Sequence, residues 1–188
     1  FHILWGNLGI TSLHGDEHER YADHWVATDA LGRTLPAHDK TGARRPGKYI
    51  GIFYFLWVGN HTPKVYDISK ILKNDSENPQ WGPVTATHFW GEPEQGYFHA
   101  SDPWVIRRDL QMLVNADVDF LYLDTTNTWI YEDTVEALLK VIHQMRSEGI
   151  PAPGVVFTPK TASGKTINRI NDPFYTNPEN KELWVEWD

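Results

Sequence analysis

The polar side chains that could do chemistry lie in two stretches, each of which follows an apolar run. The first stretch, residues 60–97, follows the run Tyr49–Trp57, and the second, residues 124–127, follows Val118–Leu123. Carboxylates can transfer protons or attack as nucleophiles, and amide and imidazole groups hydrogen-bond to hydroxyls. Trp and Tyr rings stack on flat apolar faces. This combination of residue types would suit a ligand with flat apolar faces and hydroxyl groups, such as a sugar.

Asp124 and Glu92 are the predicted catalytic residues. Two carboxyl groups, one acting as acid and the other as nucleophile or base, can together catalyse hydrolysis. Asp124 ends an apolar strand pattern, and Glu92 lies in a stretch rich in aromatic residues. Each has a plainer interpretation, because Asp124 could anchor the loop that follows it and Glu92 could be a solvated surface residue.

The predicted substrate-binding residues share loop positions and the ability to stack or to hydrogen-bond. Aromatic residues make up 13% of the chain and include nine Trp, many of which core packing explains. Core packing is a weaker explanation at the loop ends, where Trp57, Trp90 and Trp129 lie. The predicted set is Trp57, Asn60, His61, His88, Trp90, Glu94, Tyr97 and Asn127.

The elements that must position these residues form a predicted βαβ unit. The almost unbroken apolar run Tyr49–Trp57 favours a strand buried on both faces, as in a parallel sheet. A helix is predicted over 101–114, with Asp102 as N-cap and Pro103 at its first position. Its apolar residues Ile106, Leu110, Leu113 and Val114 form one stripe. Val118–Asp124 is the second predicted strand, and a helix between two parallel strands completes the unit.

The pattern continues beyond Asn127. A second helix is predicted from the apolar face Val135, Leu138, Leu139, Ile142 and Met145, with Gly149 as its stop. A third strand is predicted at Ala152–Thr158, and Leu183–Trp187 could be a fourth. The order β-α-β-α-β predicts a parallel α/β fold. A closed (β/α)8 TIM barrel needs about 250 residues, so we expect an incomplete barrel in residues 49–188, after an amino-terminal lead-in segment at 1–48.

Composition and charge exclude several classes of function. The net charge of −8 argues against nucleic acid as a partner, because phosphate backbones demand a basic surface. Cysteine is absent, which removes thiol nucleophiles and Cys-ligated zinc. The sequence contains no apolar run of about eighteen residues, which is the length that would predict a membrane span. No cofactor is predicted, and the cluster of His14, Asp16 and His18 matches no established metal-site spacing. The chain begins at Phe1, so we expect a processed or truncated amino terminus.

Three segments carry a resemblance to a known group of proteins. Gly51–Trp57, Ser101–Ile106 and Asp119–Asp124 resemble the first part of glycoside hydrolase families 71 and 99, which are α-1,3-glucanases and endo-α-mannosidases. Asn115–Asp119 takes the place of a family segment that has Gly where Asp117 stands here. The resemblance implies a barrel and a carbohydrate substrate. The catalytic carboxylates of family 99 lie on later strands, so the resemblance assigns none of them before Asp188.

The sequence supports two hypotheses of function, and a third has less support. The chain is predicted to be the amino-terminal part of a glycoside hydrolase, and the alternative is a non-catalytic carbohydrate-binding protein that uses the same aromatic loop. Metal-dependent hydrolysis through the histidine-rich start is the third. The segment Asp29–Arg33 is similar to one in a set of bacterial secreted proteins, which implies a secreted or periplasmic location.

Overall fold

The structure is a computed structural model that describes residues 27–60, 64–160 and 164–185. The chain divides into two compact units, residues 1–48 and 49–188. In the first unit a turn precedes the short helix α1 (His38–Thr41). The carboxylate of Asp29 accepts hydrogen bonds from the backbone N–H groups of Leu31 and Arg33, and an antiparallel bridge between Thr28 and Thr34 closes this turn. The cluster of His14, Asp16 and His18 lies outside the described residues.

The second unit alternates strands and helices. In chain order it contains β1 (Gly51–Tyr54), β2 (Tyr66–Asp67), α2 (Ile68–Asn74), β3 (His88–Phe89), α3 (Pro103–Asn115), β4 (Phe120–Thr125), α4 (Glu132–Ser147), β5 (Gly154–Pro159) and α5 (Gly164–Ile170). A π-helical turn at Asn171–Tyr175 and a 3-10 helix at Pro178–Leu183 follow.

The main sheet has three parallel strands in the order β1-β4-β5. Gly51 lies beside Phe120 and Tyr54 beside Leu123, and β5 pairs with β4 from Gly154 to Pro159. The helices α3 and α4 connect successive strands, so the predicted β-α-β-α-β order and the parallel α/β class are confirmed. The three strands form an open sheet, and no closed barrel is present in the described residues.

Local chemistry sets the start of α3. The carboxylate of Asp102 accepts hydrogen bonds from the backbone N–H groups of Trp104 and Val105, and Pro103 occupies the first position, as predicted. The helix therefore has its exposed N–H groups capped and a residue of fixed backbone angle at its first turn. After α3 the chain turns through Asp117, whose φ of 60° is left-handed, and enters β4.

The core lies between one face of the sheet and the helices. Along β4 buried residues alternate with partly buried ones, so Leu121, Leu123 and Thr125 point to the buried face. The fully buried side chains of this cluster are Leu56, Ile106, Leu110, Leu121, Leu123, Ile130, Val135, Leu138, Ile142, Met145 and Leu183. Burial of each such side chain contributes about 1.5–3 kcal/mol to folding. The predicted apolar face of the second helix is confirmed.

The prediction that the first strand is buried on both faces is wrong. The strand ends at Tyr54 rather than at Trp57, and Phe53 and Phe55 are 54% and 51% exposed. The physical reason is twofold. The helices α3 and α4 contribute their buried residues to one face of the sheet, and β1 is an edge strand, so that even Ile52 on the covered face is 41% exposed. The opposite face carries large aromatic side chains that stay half in solvent, and we call it the open face.

The remaining elements differ in part from the predictions. The two-stranded parallel sheet of β2 and β3 was not predicted, because each strand has only two residues. At the predicted fourth strand, Leu183 ends the 3-10 helix and Trp184 forms a single parallel bridge with Val155. Residues 186 and 187 of that predicted strand lie outside the described residues. Within the described parts of the chain, no helix is both long enough and apolar enough to cross a membrane.

Candidate functional site

An aromatic row leads along the open face toward the carboxyl end of β1. The rings of Phe53 and Phe55 are 6.5 Å apart, and that of Trp57 lies 6.2 Å from Phe55. Residues two apart along an extended chain share a face, and the Phe53 ring also contacts Tyr122 of β4 at 4.9 Å. Trp57, a predicted substrate-binding residue, is therefore the last ring of this row and is 38% exposed.

Asp124 lies at the carboxyl end of β4 on the same open face. Tyr122 and Asp124 are two residues apart on the strand, so their side chains point the same way. One carboxylate oxygen of Asp124, Oδ1, accepts hydrogen bonds from the backbone N–H of Thr126 at 3.1 Å and from its hydroxyl at 2.6 Å. Asp124 thus holds the start of the loop that follows it, and its neighbour across the sheet is Thr158 of β5.

The loop between β4 and α4 has an ordered, strained backbone. Thr128 and Tyr131 have left-handed φ angles of 71° and 58°, which cost about 1–3 kcal/mol each in residues other than glycine. The side chain of Asn127 accepts a hydrogen bond from the backbone N–H of Trp129 at 3.1 Å. Burial raises the pKa of Tyr131, its hydrogen bond with Asn127 lowers it, and the charge of Asp124 raises it further. Asn127, Tyr131 and Asp124 therefore lie together.

Asn60 joins the end of β1 to the start of α4. Its side-chain amide donates to the backbone carbonyl of Leu56 at 2.5 Å and to the hydroxyl of Thr134 at 3.2 Å. Asn60 also lines two clefts, one of about 580 Å³ and one of about 180 Å³. It is therefore the predicted site residue that connects the two sides of the carboxyl edge.

Residues 64–100, which we call the excursion, leave β1 and return to it. The backbone N–H of Ala100 donates to the carbonyl of Val58 at 2.8 Å, and a Cβ on Gly59 would lie 3.0 Å from the His99 ring. The left-handed φ of 80° at Gly59 also suits glycine. The excursion is thereby tied to the carboxyl end of β1, beside Asn60.

A buried carboxylate organises the excursion. Asp67, which is 4% exposed, accepts hydrogen bonds from the hydroxyls of Ser69 at 2.6 Å and Tyr97 at 2.5 Å, and from the backbone N–H of Lys70 at 3.0 Å. The bonds from Ser69 and then Tyr97 lower the pKa of Asp67 to about 2. The Asp67 carboxylate in turn raises the pKa of Tyr97. Tyr97, a predicted substrate-binding residue, thus also stabilises the excursion through its hydrogen bond to Asp67.

Two glutamates of the excursion form ion pairs. Glu92 forms an ion pair with Lys70 at 2.9 Å, and Tyr97 and then Glu92 raise the pKa of Lys70. Glu94 pairs with Arg108 of α3 at 2.7 Å. The first ion pair joins two parts of the excursion, and the second joins the excursion to α3. Glu92 and Glu94 therefore both have partners within the chain.

His88 and Trp90 have different surroundings. The ring nitrogens of His88 lie 2.9 Å from the carbonyl of Ala86 and 2.7 Å from that of Trp81, so the His88 side chain is held by backbone groups. Trp90 follows β3 and is 86% exposed. The roles predicted for both in sugar binding stay predictions, as does that of His61, which lies outside the described residues.

The larger cleft brings Asn60 and Tyr97 together with residues that were not predicted. His99 and Asp102 line it, and Nδ1 of His99 is 2.7 Å from the hydroxyl of Ser101. The sequence signal for His99 was only its place just before the start of α3. Among the described residues, no three His, Cys, Asp or Glu side chains converge as a metal site would require.

The second unit is thus an α/β structure with a parallel sheet, in which Asp124 lies at the carboxyl end of β4 and Asn60 lies beyond that of β1. No family model matches the chain, and no curated protein matches it. Two solved structures of the GH99 endo-alpha-mannosidase from Bacteroides thetaiotaomicron are similar to it. One, in complex with BIS-TRIS-Propane, has 22% identity and a TM-score of 0.43, and the other has 19% identity and a TM-score of 0.42.

The similarity to these structures is partial. The aligned region covers 74% of this chain in both cases, and 38% and 42% of the two mannosidase chains. This chain therefore spans about two fifths of the length of the proteins it matches. Both structures belong to family 99, and the resemblance to family 71 gains no support.

Proposed function

We propose that the protein is a glycoside hydrolase that acts on a poly- or oligosaccharide by carboxylate acid/base chemistry, and that this chain forms the amino-terminal part of its (β/α)8 barrel. The observation that carries the proposal is the position of Asp124. It lies at the carboxyl end of a parallel strand, on the open face that also carries the row Phe53, Phe55 and Trp57. Ligands of parallel α/β folds bind at this end of the strands.

The side chains around this edge suit a sugar. An exposed indole such as that of Trp57 offers an apolar face for the C–H groups of a pyranose ring. Asn60 and Asn127 supply amide groups that can hydrogen-bond to hydroxyls. Asp124 and Glu92 are the proposed catalytic carboxylates, and Glu92 is paired with Lys70 in the structure.

The exposure of the open face supports the proposal of an incomplete barrel. In a barrel the inward-pointing residues of each strand are covered by the strands opposite, so a partial barrel leaves them exposed. The half-exposed rings of Phe53 and Phe55 fit this position. The parallel bridge between Trp184 and Val155 lies on β5, where the next barrel strand would pair.

A second candidate, a non-catalytic carbohydrate-binding protein, is favoured by the contacts that the carboxylates make within the chain. Oδ1 of Asp124 is occupied by Thr126 as a loop anchor, and Glu92 and Glu94 are both ion-paired. In this alternative the same edge binds a glycan and the carboxylates only hold the loops.

Activity and binding assays on the protein separate the two candidates. Wild type, Asp124→Ala and Glu92→Ala are incubated with α-1,3-glucan, α-mannan and other polysaccharides, and new reducing ends and glycan binding are measured. The hydrolase proposal expects reducing ends from wild type and at least a hundredfold loss in the variants. Binding without turnover by all three proteins supports the binding module, and neither binding nor turnover rejects both candidates.

The location of the protein is also a proposal. A secreted or periplasmic location, implied by the resemblance at Asp29–Arg33, predicts that the protein is found in the medium or in the periplasmic fraction of its source cells.

A further inference from the structure

We propose that Trp129 is the stacking platform of a sugar subsite on the β4–α4 loop, with Asp133 and Arg169 as its polar partners. This inference rests on the proposed carbohydrate function and adds a specificity-determining residue outside the predicted site set. The indole of Trp129 is 57% exposed, although it lies in a loop next to the core residue Ile130. An indole displayed in this way, at the edge where ligands of the fold bind, matches the requirement of a pyranose ring for an apolar face.

The platform is supported from behind. The ring of Tyr131 lies 6.4 Å from that of Trp129 at an interplanar angle of 27°, so the two are stacked. Tyr131 itself packs against the hydrophobic core and hydrogen-bonds with Asn127. The ring of Tyr131, which packs against the core, therefore supports the indole from one side, and the rest of the indole is exposed to solvent.

The backbone of the loop holds the indole in position. Residues with left-handed φ angles, Thr128 and Tyr131, lie on either side of Trp129 in the chain. The backbone N–H of Trp129 donates a hydrogen bond to the side chain of Asn127. Arg169 of α5 donates from Nη1 to the carbonyl of Thr128 at 3.3 Å, and its Nε and Nη2 donate to Glu132. Strain of this kind persists only where neighbouring contacts enforce it, and a preorganised platform loses less entropy on binding.

Hydrogen-bonding groups surround the platform. A cleft of about 180 Å³ is lined by Trp129, Tyr131, Glu132, Asp133, Arg169 and Asn60. A guanidinium carries five N–H donors, and the contacts with Thr128 and Glu132 use one on each of three nitrogens. Nη1 and Nη2 of Arg169 each have a second N–H for a sugar hydroxyl, and the exposed carboxylate of Asp133 can accept from another. The cleft adjoins Asn60, which also lines the larger cleft, so an extended glycan could occupy both.

Affinity measurements on matched tryptophan variants test the subsite. Binding of α-1,3-linked gluco-oligosaccharides and α-linked manno-oligosaccharides is measured by calorimetry for wild type, Trp129→Ala, Trp129→Phe and Trp104→Ala. Trp104 is the control, because it is 61% exposed on α3 and lines neither cleft. We expect Trp129→Ala to raise the Kd at least tenfold, Trp129→Phe to raise it less than threefold, and Trp104→Ala to change it less than twofold.

Chemical protection on unaltered protein keeps the test valid if Trp129→Ala does not fold. The bound oligosaccharide should protect Trp129, but not Trp104, from oxidation by N-bromosuccinimide, as mapped by mass spectrometry. Glycan binding by wild type with an unchanged Kd in folded Trp129→Ala, or without protection of Trp129, overturns the subsite alone. An absence of glycan binding by wild type overturns the proposed function and the subsite with it.

Discussion

Substitution of Asn60 by alanine should loosen the carboxyl edge and lower the stability of the second unit. The Asn60 amide is the link between the carbonyl of Leu56, at the end of β1, and the hydroxyl of Thr134 in α4. Leu56 and Thr134 are both fully buried, so the groups that Asn60 satisfies have restricted access to water. Alanine removes both hydrogen bonds at once.

The magnitude follows from the groups left behind. A buried donor or acceptor that loses its partner costs about 1–3 kcal/mol. Asn60 itself is half-buried and borders both clefts, so water can partly replace its amide. We therefore expect a loss of about 1–2 kcal/mol in the free energy of unfolding. For a protein of this size that is a fall in Tm of about 2–8 °C.

A double-mutant cycle is the assay. Urea unfolding is followed by circular dichroism for wild type, Asn60→Ala, Thr134→Val and the double variant. Residues in direct contact couple by about 0.5–3 kcal/mol, so the double variant should be less destabilised than the sum of the single ones. Asn168→Ala, on the exposed side of α5, is the control and should change stability by less than about 0.5 kcal/mol. Additive losses at Asn60 and Thr134 would refute the link.

Three further predictions concern the excursion, α3 and the open face. The folded-state pKa of Asp67, about 2, lies below its ordinary value of about 3.9, so its stabilising contribution is complete above about pH 4 and is lost as the pH falls toward 2. The Tm gap between wild type and Asp67→Asn should accordingly be constant from pH 7 to 5 and narrow below about pH 4, and a gap unchanged down to pH 2 would contradict this. Asp102→Ala should cost about 1 kcal/mol in urea unfolding through loss of the α3 cap, whereas Asp102→Asn should cost little, and equal losses would argue against capping. Phe53→Ser combined with Phe55→Ser should reduce fluorescence of the apolar dye ANS and keep the circular dichroism spectrum, and unchanged dye binding would mean that the open face is covered in solution.

Local signals predicted the skeleton of the fold. The cap at Asp102 and Pro103 fixed the start of α3, and the apolar spacing of α4 identified the face that is buried. Both signals act within one or two turns of helix, so they can be recognised in the sequence. The prediction that β1 is buried on both faces was wrong, because an apolar run shows which side chains a strand could bury but not which elements pack on it. The strands β2 and β3 have two residues each, too few to show a period.

The candidate site was predicted less completely, because its contacts join distant parts of the chain. Lys70 meets Glu92 across 22 residues, and Asp67 meets Tyr97 across 30. Spacing in the sequence carries no information about such pairs. The sequence marks Trp129 by its loop position, but it carries no signal for Arg169, which holds that loop through Thr128 from 41 residues away. The placement of Asp124 at the end of a parallel strand followed from the strand pattern itself.

The left-handed turn at Asp117 bears on how relatives of this chain can be recognised. The backbone there requires a positive φ, which glycine adopts freely and aspartate adopts more readily than most residues. The turn therefore requires a backbone angle that Gly, Asp and Asn can each adopt, and it does not require one particular residue type. A search pattern that insists on glycine between α3 and β4 would pass over chains that make the same turn with Asp or Asn, and one that admits all three would find them.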